Sequence, residues 1–162
     1  MASSEFSLIQ QYFAGLGEGP FVERGVGDDA ATLRVPVGHV LHVSTDTALV
    51  DVHFPSDLPA ADVAYRSLMA AASDLAAMGA QPMALLLSLT LPAVEEDWLQ
   101  QFTAGLKAAK LETVPHVPHD RMEPAHHGLA GVRLESTFWH SLQHGQVKVN
   151  VMVDLALSGS PS

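Results

Sequence analysis

The segment Pro82 to Leu91 (PMALLLSLTL) is nearly all apolar and is followed at once by Pro92. It is too short to span a bilayer as a helix and suits a strand buried in a sheet. Helical patterns flank it. Residues from Pro59 to Met78 are rich in Ala, Leu and Met. Pro59 suits the first helical position, Ser56 or Asp57 the cap, and Gly79 the stop. Glu95 to Lys110 is amphipathic, with Trp98, Leu99, Phe102 and Leu106 as its inner face. This order predicts an α+β fold, a mixed sheet backed by two longer helices.

The remainder is less regular. Ser4 to Phe13 predicts a short helix, capped by Ser3 or Ser4, with Phe6, Ile9 and Phe13 on one face. Ala30 to Val35 and Val40 to Thr45 predict strands separated by a turn at Pro36-Val37-Gly38. After Lys110 the texture changes. Residues 111–145 are rich in His and Pro and lack periodicity, whereas Val147, Val149, Val151, Val153, Leu155 and Leu157 alternate strongly enough to predict a strand from Gln146. The chain therefore divides into 1–110, 111–145 and 146–162.

The 162 residues suffice for one domain with a real core, and 48% hydrophobic against 16% charged residues argues for a folded one. A net charge of −10 with only eight Lys+Arg argues against nucleic acid or an anionic membrane as partner. There is no cysteine, hence no disulfide framework or thiol chemistry. The N-terminus lacks a basic region followed by an apolar one, so the expected compartment is the cytoplasm.

Three acidic motifs carry the chemistry. Gly25-Val26-Gly27-Asp28-Asp29 is a loop, Ser44-Thr45-Asp46-Thr47 ends a predicted strand, and Ser73-Asp74-Leu75-Ala76-Ala77-Met78-Gly79 closes a predicted helix. Hard oxygen donors suit Mg²⁺, which is usually held by one or two carboxylates together with substrate phosphates. Asp28 and Asp29 also fit plain turn residues, and adjacent side chains in an extended segment diverge, so Asp29 is the preferred ligand. Strand alternation puts Ser44 and Asp46 on one side. Asp74, within an otherwise apolar helix, cannot face a dry core unpaired. The histidines at 116, 119, 126, 127, 140 and 144 match no zinc spacing.

These motifs, with Glu5 to Ile9, His53-Phe54 and Asp62-Val63-Ala64-Tyr65, resemble the N-terminal part of thiamine-monophosphate kinases, from about Glu5 to about Lys110. That family belongs with aminoimidazole ribonucleotide synthetase and selenophosphate synthetase. The resemblance implies transfer of the γ-phosphoryl of ATP to thiamine phosphate, giving thiamine diphosphate. It implies Mg²⁺ ions held by Asp29, Ser44, Thr45, Asp46 and Asp74, with the three aspartates converging, and His53 on thiamine phosphate. It implies a homodimer formed through the sheet, and it names no covalent catalytic residue. The family's Gly-Gly-Asp-Thr-like loop after the second helix is missing here, as is its C-terminal domain. The chain thus reads as truncated, with a replaced or frame-shifted segment near Leu111 to Gln143. A catalytically impaired Mg-nucleotide-binding or dimerisation fragment, and another enzyme of the same superfamily, remain as alternatives. The ATP-contacting residues are not assigned.

Overall fold

A computed structural model of the chain describes the backbone of residues 4–80, 82–112, 128–136 and 148–154, and the side chains of residues 4–80 and 82–109. Helix α1 (Glu5–Leu8) runs into a π turn (Ile9–Phe13) and a 3₁₀ turn (Ala14–Leu16). Strands β1 (Val22–Arg24) and β2 (Thr32–Leu33) pair antiparallel. Strand β3 (Val43–Leu49), helix α2 (Ala60–Ala77), strand β4 (Ala84–Leu91), helix α3 (Glu96–Glu112), and strands β5 (Gly128–Ser136) and β6 (Lys148–Asp154) complete the order. The main sheet runs β3-β6-β4-β5 and is mixed: β6 is antiparallel to both β3 and β4, while β4 and β5 are parallel.

The predicted α+β architecture is the observed one, and its physical basis is visible in β4. Leu87 and Leu89 are buried in the main core, with Leu85 and Leu91 packed against it, while Ala84 joins a smaller cluster with Met83 on the side of Phe21, Val22, Ala31 and Leu33. The strand is covered on both faces, which is why its sequence is apolar rather than alternating. Helix α2 buries Ala60, Val63, Ala64, Ser67, Leu68, Ala71, Ala72 and Leu75, an unbroken three-four spacing. Burial of each of Val63, Leu68 and Leu75 contributes on the order of 1.5–3 kcal/mol. Helix α3 meets this face with Leu99, Phe102, Leu106 and Ala109, and Trp98 stacks on Phe102 with ring centres 4.8 Å apart.

The helix ends differ in how well they follow local rules. At the C-terminus of α2, Gly79 adopts φ +67°, Gly79 N–H donates to Ala76 O and Ala80 N–H donates to Leu75 O, both at 3.0 Å. This is the glycine-terminated stop expected there, with both orphan carbonyls satisfied. At the N-terminus, neither Ser56 nor Asp57 caps: Pro59 is itself the cap, with no side-chain bond, and its carbonyl receives Asp62 and Val63. Proline has fixed φ and no N–H, so it can occupy that junction without losing a bond.

Other expectations shift. Ser4 does cap α1, accepting from Ser7 N–H at 3.2 Å. Phe6, however, is 76% exposed while Leu8, Ile9 and Phe13 are buried. The π turn widens the helical period beyond 3.6 residues and rotates Phe6 out of the inner face. The second predicted strand begins three residues later than Val40 and runs on to Leu49, because its hydrogen bonds come from β6. Strand β5 was not foreseen. Its register against β4 slips at Ala130, since Leu85 pairs with Leu129 and Leu86 with Gly131. That bulge breaks the period-two pattern a strand is recognised by. The predicted terminal strand is present as β6. The histidines between His116 and His144, Leu155 and Leu157 lie outside the described residues.

Candidate active site

Strand β3 alternates as a pleated strand must. Ser44, Asp46 and Ala48 are half-buried on the side that meets α2, whereas Thr45 and Thr47 are exposed. The Ser44 hydroxyl donates to Asp74 Oδ2 at 3.3 Å, joining the second and third acidic motifs. That distance is long for an O–H···O bond, and both oxygens keep lone pairs for a third group. Asp74 itself is exposed, as a lone carboxylate on an apolar helix must be.

Beside this pair lies a cavity of about 270 Å³ between β3 and α2. Asp46, His53 and Arg66 supply its ionisable lining, and Ala48, Phe54, Val63 and Ala70 much of its apolar wall. His53 is held by the turn that follows β3. Asp51 takes φ +62°, a conformation that aspartate tolerates better than most residues. His53 N–H donates to Leu49 O at 2.9 Å, and Leu49 N–H donates to His53 Nδ1 at 3.1 Å. An Nδ1 that accepts a backbone proton leaves the neutral ring with its own proton on Nε2. His53 is thereby a preset donor.

The first acidic motif stands apart. Gly27 takes φ +109° in the loop, and a side chain at Gly25 would meet the Gly17 carbonyl at 2.5 Å. Both glycines are therefore required by the backbone. Asp28 is engaged locally: its Oδ2 pairs with Arg24 at 2.9 Å and its Oδ1 accepts from Asp29 N–H at 2.8 Å. Asp29 is exposed. Among the described residues, no three acidic or histidine side chains form a cluster that could hold a metal ion. The convergence of Asp29, Asp46 and Asp74 on one point is not present in this structure.

The donor set nevertheless fits a hard divalent cation. Asp74 with the Ser44 hydroxyl, and Asp46 on the same strand face, offer oxygen alone, in the number Mg²⁺ uses when phosphates complete its shell. The side chain of Thr45 lies on the opposite strand face. Arg66 is a site residue that the sequence reading missed. An arginine on an amphipathic helix reads as a solvated charge, and only the packing of α2 on β3 brings it to the cavity.

Comparison with known proteins bears on the family and the fold. The family described as AIR synthase related protein, N-terminal domain, matches residues 27–115. The chain is 49% identical over 109 residues to a thiamine-monophosphate kinase of Salmonella typhimurium, covering 67% of this chain and 34% of that protein. It thus spans about a third of the length of such relatives. The crystal structure of thiamine-monophosphate kinase from Stenotrophomonas maltophilia superposes with a TM-score of 0.60 at 30% identity, covering 85% of this chain and 38% of that one. The solved complex of AaThiL with AMPPCP and TMP shares the fold, with a TM-score of 0.58 at 22% identity over 79% of this chain and 35% of that one.

Proposed function

The chain belongs to the family of AIR synthase related proteins, through their N-terminal domain, and from that membership we propose that it is the metal- and nucleotide-binding domain of an ATP-dependent thiamine-phosphate kinase. The reaction passes the γ-phosphoryl group of ATP to the phosphate of thiamine phosphate, giving thiamine diphosphate. The carrying observation is the contact between Ser44 and Asp74, which joins two acidic motifs thirty positions apart. The kinase relatives and the AMPPCP and TMP bound by AaThiL support the choice of substrates.

Phosphoryl transfer needs positioning and charge neutralisation more than covalent help from protein groups. Asp46, Asp74 and Ser44 would hold Mg²⁺ on the β3–α2 face, with Asp29 joining from its loop, while Thr45, on the opposite strand face, takes no part through its side chain. Bound Mg²⁺ neutralises phosphate charge and so permits two anionic substrates to share an acidic surface. The chain's own groups do the rest. His53 presents its Nε2 proton to the acceptor, and the apolar walls at Phe54 and Val63 limit water beside it. No side chain is assigned as a nucleophile or general base.

The domain works as part of a homodimer in this reading. Strand β3 is an outer strand of the sheet, and Val37, Val40, Leu41 and Val43 along and before it are exposed. An outer strand with an apolar approach is suited to pairing with a second copy. The compartment that fits ATP and thiamine phosphate is the cytoplasm; no helix among the described residues is long and apolar enough to cross a membrane.

A second reading is a Mg-nucleotide-binding and dimerisation module with little turnover of its own, for which the exposed apolar approach to β3 speaks. One assay separates the two. The purified chain is incubated with ATP, Mg²⁺ and thiamine phosphate, and thiamine diphosphate is followed by chromatography. Catalysis by positioning depends on every wall of a site, so the expected result for these residues by themselves is Mg-dependent nucleotide binding, with thiamine diphosphate formation deciding between the two readings. Absence of Mg-dependent nucleotide binding would overturn both readings.

A further inference from the structure

The cavity between β3 and α2 carries a cation that the metal chemistry does not use. Arg66 lies in the exposed row of α2, between the buried positions Val63 and Ser67, and makes no ion pair with a described residue. It lines the same cavity as His53 and Asp46. The three differ in what they offer. Asp46 only accepts. His53, with Nδ1 committed to Leu49 N–H, offers one N–H from the neutral ring. Arg66 offers a fixed fork of donors and a permanent positive charge.

We infer that Arg66, with His53, forms an anion subsite for a phosphoryl group that does not depend on metal. Three observations support it. The volume of about 270 Å³ is just below the ~300–1,000 Å³ of pockets that enclose a drug-sized ligand, so the cavity suits one end of a substrate rather than all of it. The chain carries −10 overall, so an anion approaching this face needs a local cation. The only carboxylate in the cavity lining, Asp46, stands on β3, whereas Arg66 stands on α2, so an anion can sit on the helix side while a cation sits on the strand side. Arginine is also the side chain that grips phosphate in two parallel hydrogen bonds. The inference deepens the proposed kinase reading by giving one substrate phosphate a protein partner, and rests on it only for the ligand's identity.

The test uses the whole chain, inorganic phosphate as probe and EDTA throughout, at low ionic strength. Binding is read from the backbone amide shifts of Ala48 and Phe54, which report the cavity itself. The expected result is saturable movement of both signals, with affinity lowered about tenfold or more in Arg66→Gln and partly retained in Arg66→Lys. Asp46→Asn should strengthen metal-free phosphate binding, because it removes the like charge, while weakening Mg-nucleotide binding. Shifts that are absent, or that are identical in the wild-type chain and Arg66→Gln, would overturn the inference. Failure of the kinase reading appears elsewhere, as loss of Mg-dependent nucleotide binding, and leaves the phosphate titration intact.

Discussion

The Ser44 hydroxyl and the Asp74 carboxylate meet across 3.3 Å, one from strand β3 and the other from the last turn of α2. The pair is solvent-accessible, so its contribution to stability is small, on the order of a few tenths of a kcal/mol. Under the proposed reading its value is to orient a metal-binding carboxylate. Groups that orient a ligating carboxylate typically cost 10–100-fold in metal affinity when removed. Ser44→Ala should lower Mg-dependent nucleotide affinity by about tenfold while shifting the urea midpoint hardly at all. Calorimetric titration with Mg-nucleotide, alongside urea unfolding, checks both halves. A large stability loss with unchanged affinity would reverse the assignment.

Gly105 and Gly79 separate two reasons for glycine. Gly105 is buried in α3, where a Cβ would overlap the Ala61 backbone of α2, including Ala61 Cα at 2.7 Å. Helix propensity alone favours Gly105→Ala by about 1 kcal/mol. The backbone clash opposes it and must dominate, because neither helix can yield without disturbing Leu99, Phe102 and Leu106 beneath it. Gly105→Ala should destabilise by about 1–3 kcal/mol or more. Gly79→Ala meets nothing within 4 Å and pays only for φ +67°, about 1–2 kcal/mol. Urea unfolding of both variants gives the comparison, and a Gly105→Ala protein as stable as wild type would refute the close helix contact.

Tyr12 predicts an alkaline effect. Its hydroxyl is shielded from solvent and has no hydrogen-bond partner among the described residues. Burial, then the nearby charges of Glu96 and Asp97, raise its pKa above the ordinary tyrosine value. A folded-state value above the unfolded one means that the folded chain holds this proton more tightly. The associated stability is complete below about pH 10 and is lost as pH rises through and beyond that value. Tyr12→Phe should flatten this alkaline decline and be neutral or stabilising at pH 7, since the hydroxyl has no bond to lose. Thermal melts from pH 7 to 11 measure both.

Assembly is the fourth expectation. Val37 is fully exposed and Val40, Leu41 and Val43 are at least two-fifths exposed, which favours pairing of two copies along β3. Light scattering at micromolar concentration should give a dimer. Asp or Lys at Val40 and Val43 should shift it to monomer, and a monodisperse monomeric wild type would count against the interface.

Legibility in the sequence followed the range of the interactions. Gly79, Ser4 and the inner face of α3 were readable because their causes lie within a few residues of each other. The pairing of Ser44 with Asp46 on one strand face was readable from alternation. Phe6 was misread because a π turn changes the period, and β5 was hidden because the extra residue at Ala130 breaks the alternation. The limits of β3 depended on β6, about a hundred positions away. Arg66 was invisible as a site residue for the same reason: nothing local distinguishes a solvated arginine from one at the rim of a cavity.

Strand β6 lies between β3 and β4, so the site-bearing strand β3 never hydrogen-bonds to the central apolar strand β4. During synthesis the chain emerges in the order β3, α2, β4, and none of the main sheet's antiparallel pairings can form until Lys148–Asp154 arrives. The helices can dock early, but Val43–Leu49 waits with its backbone open. Loop closure over such distances is slow, and an open strand is a template for other chains. The last strand thus acts as the keystone of the sheet, and the interval before its arrival is when a nascent copy is most exposed to pairing with its neighbour.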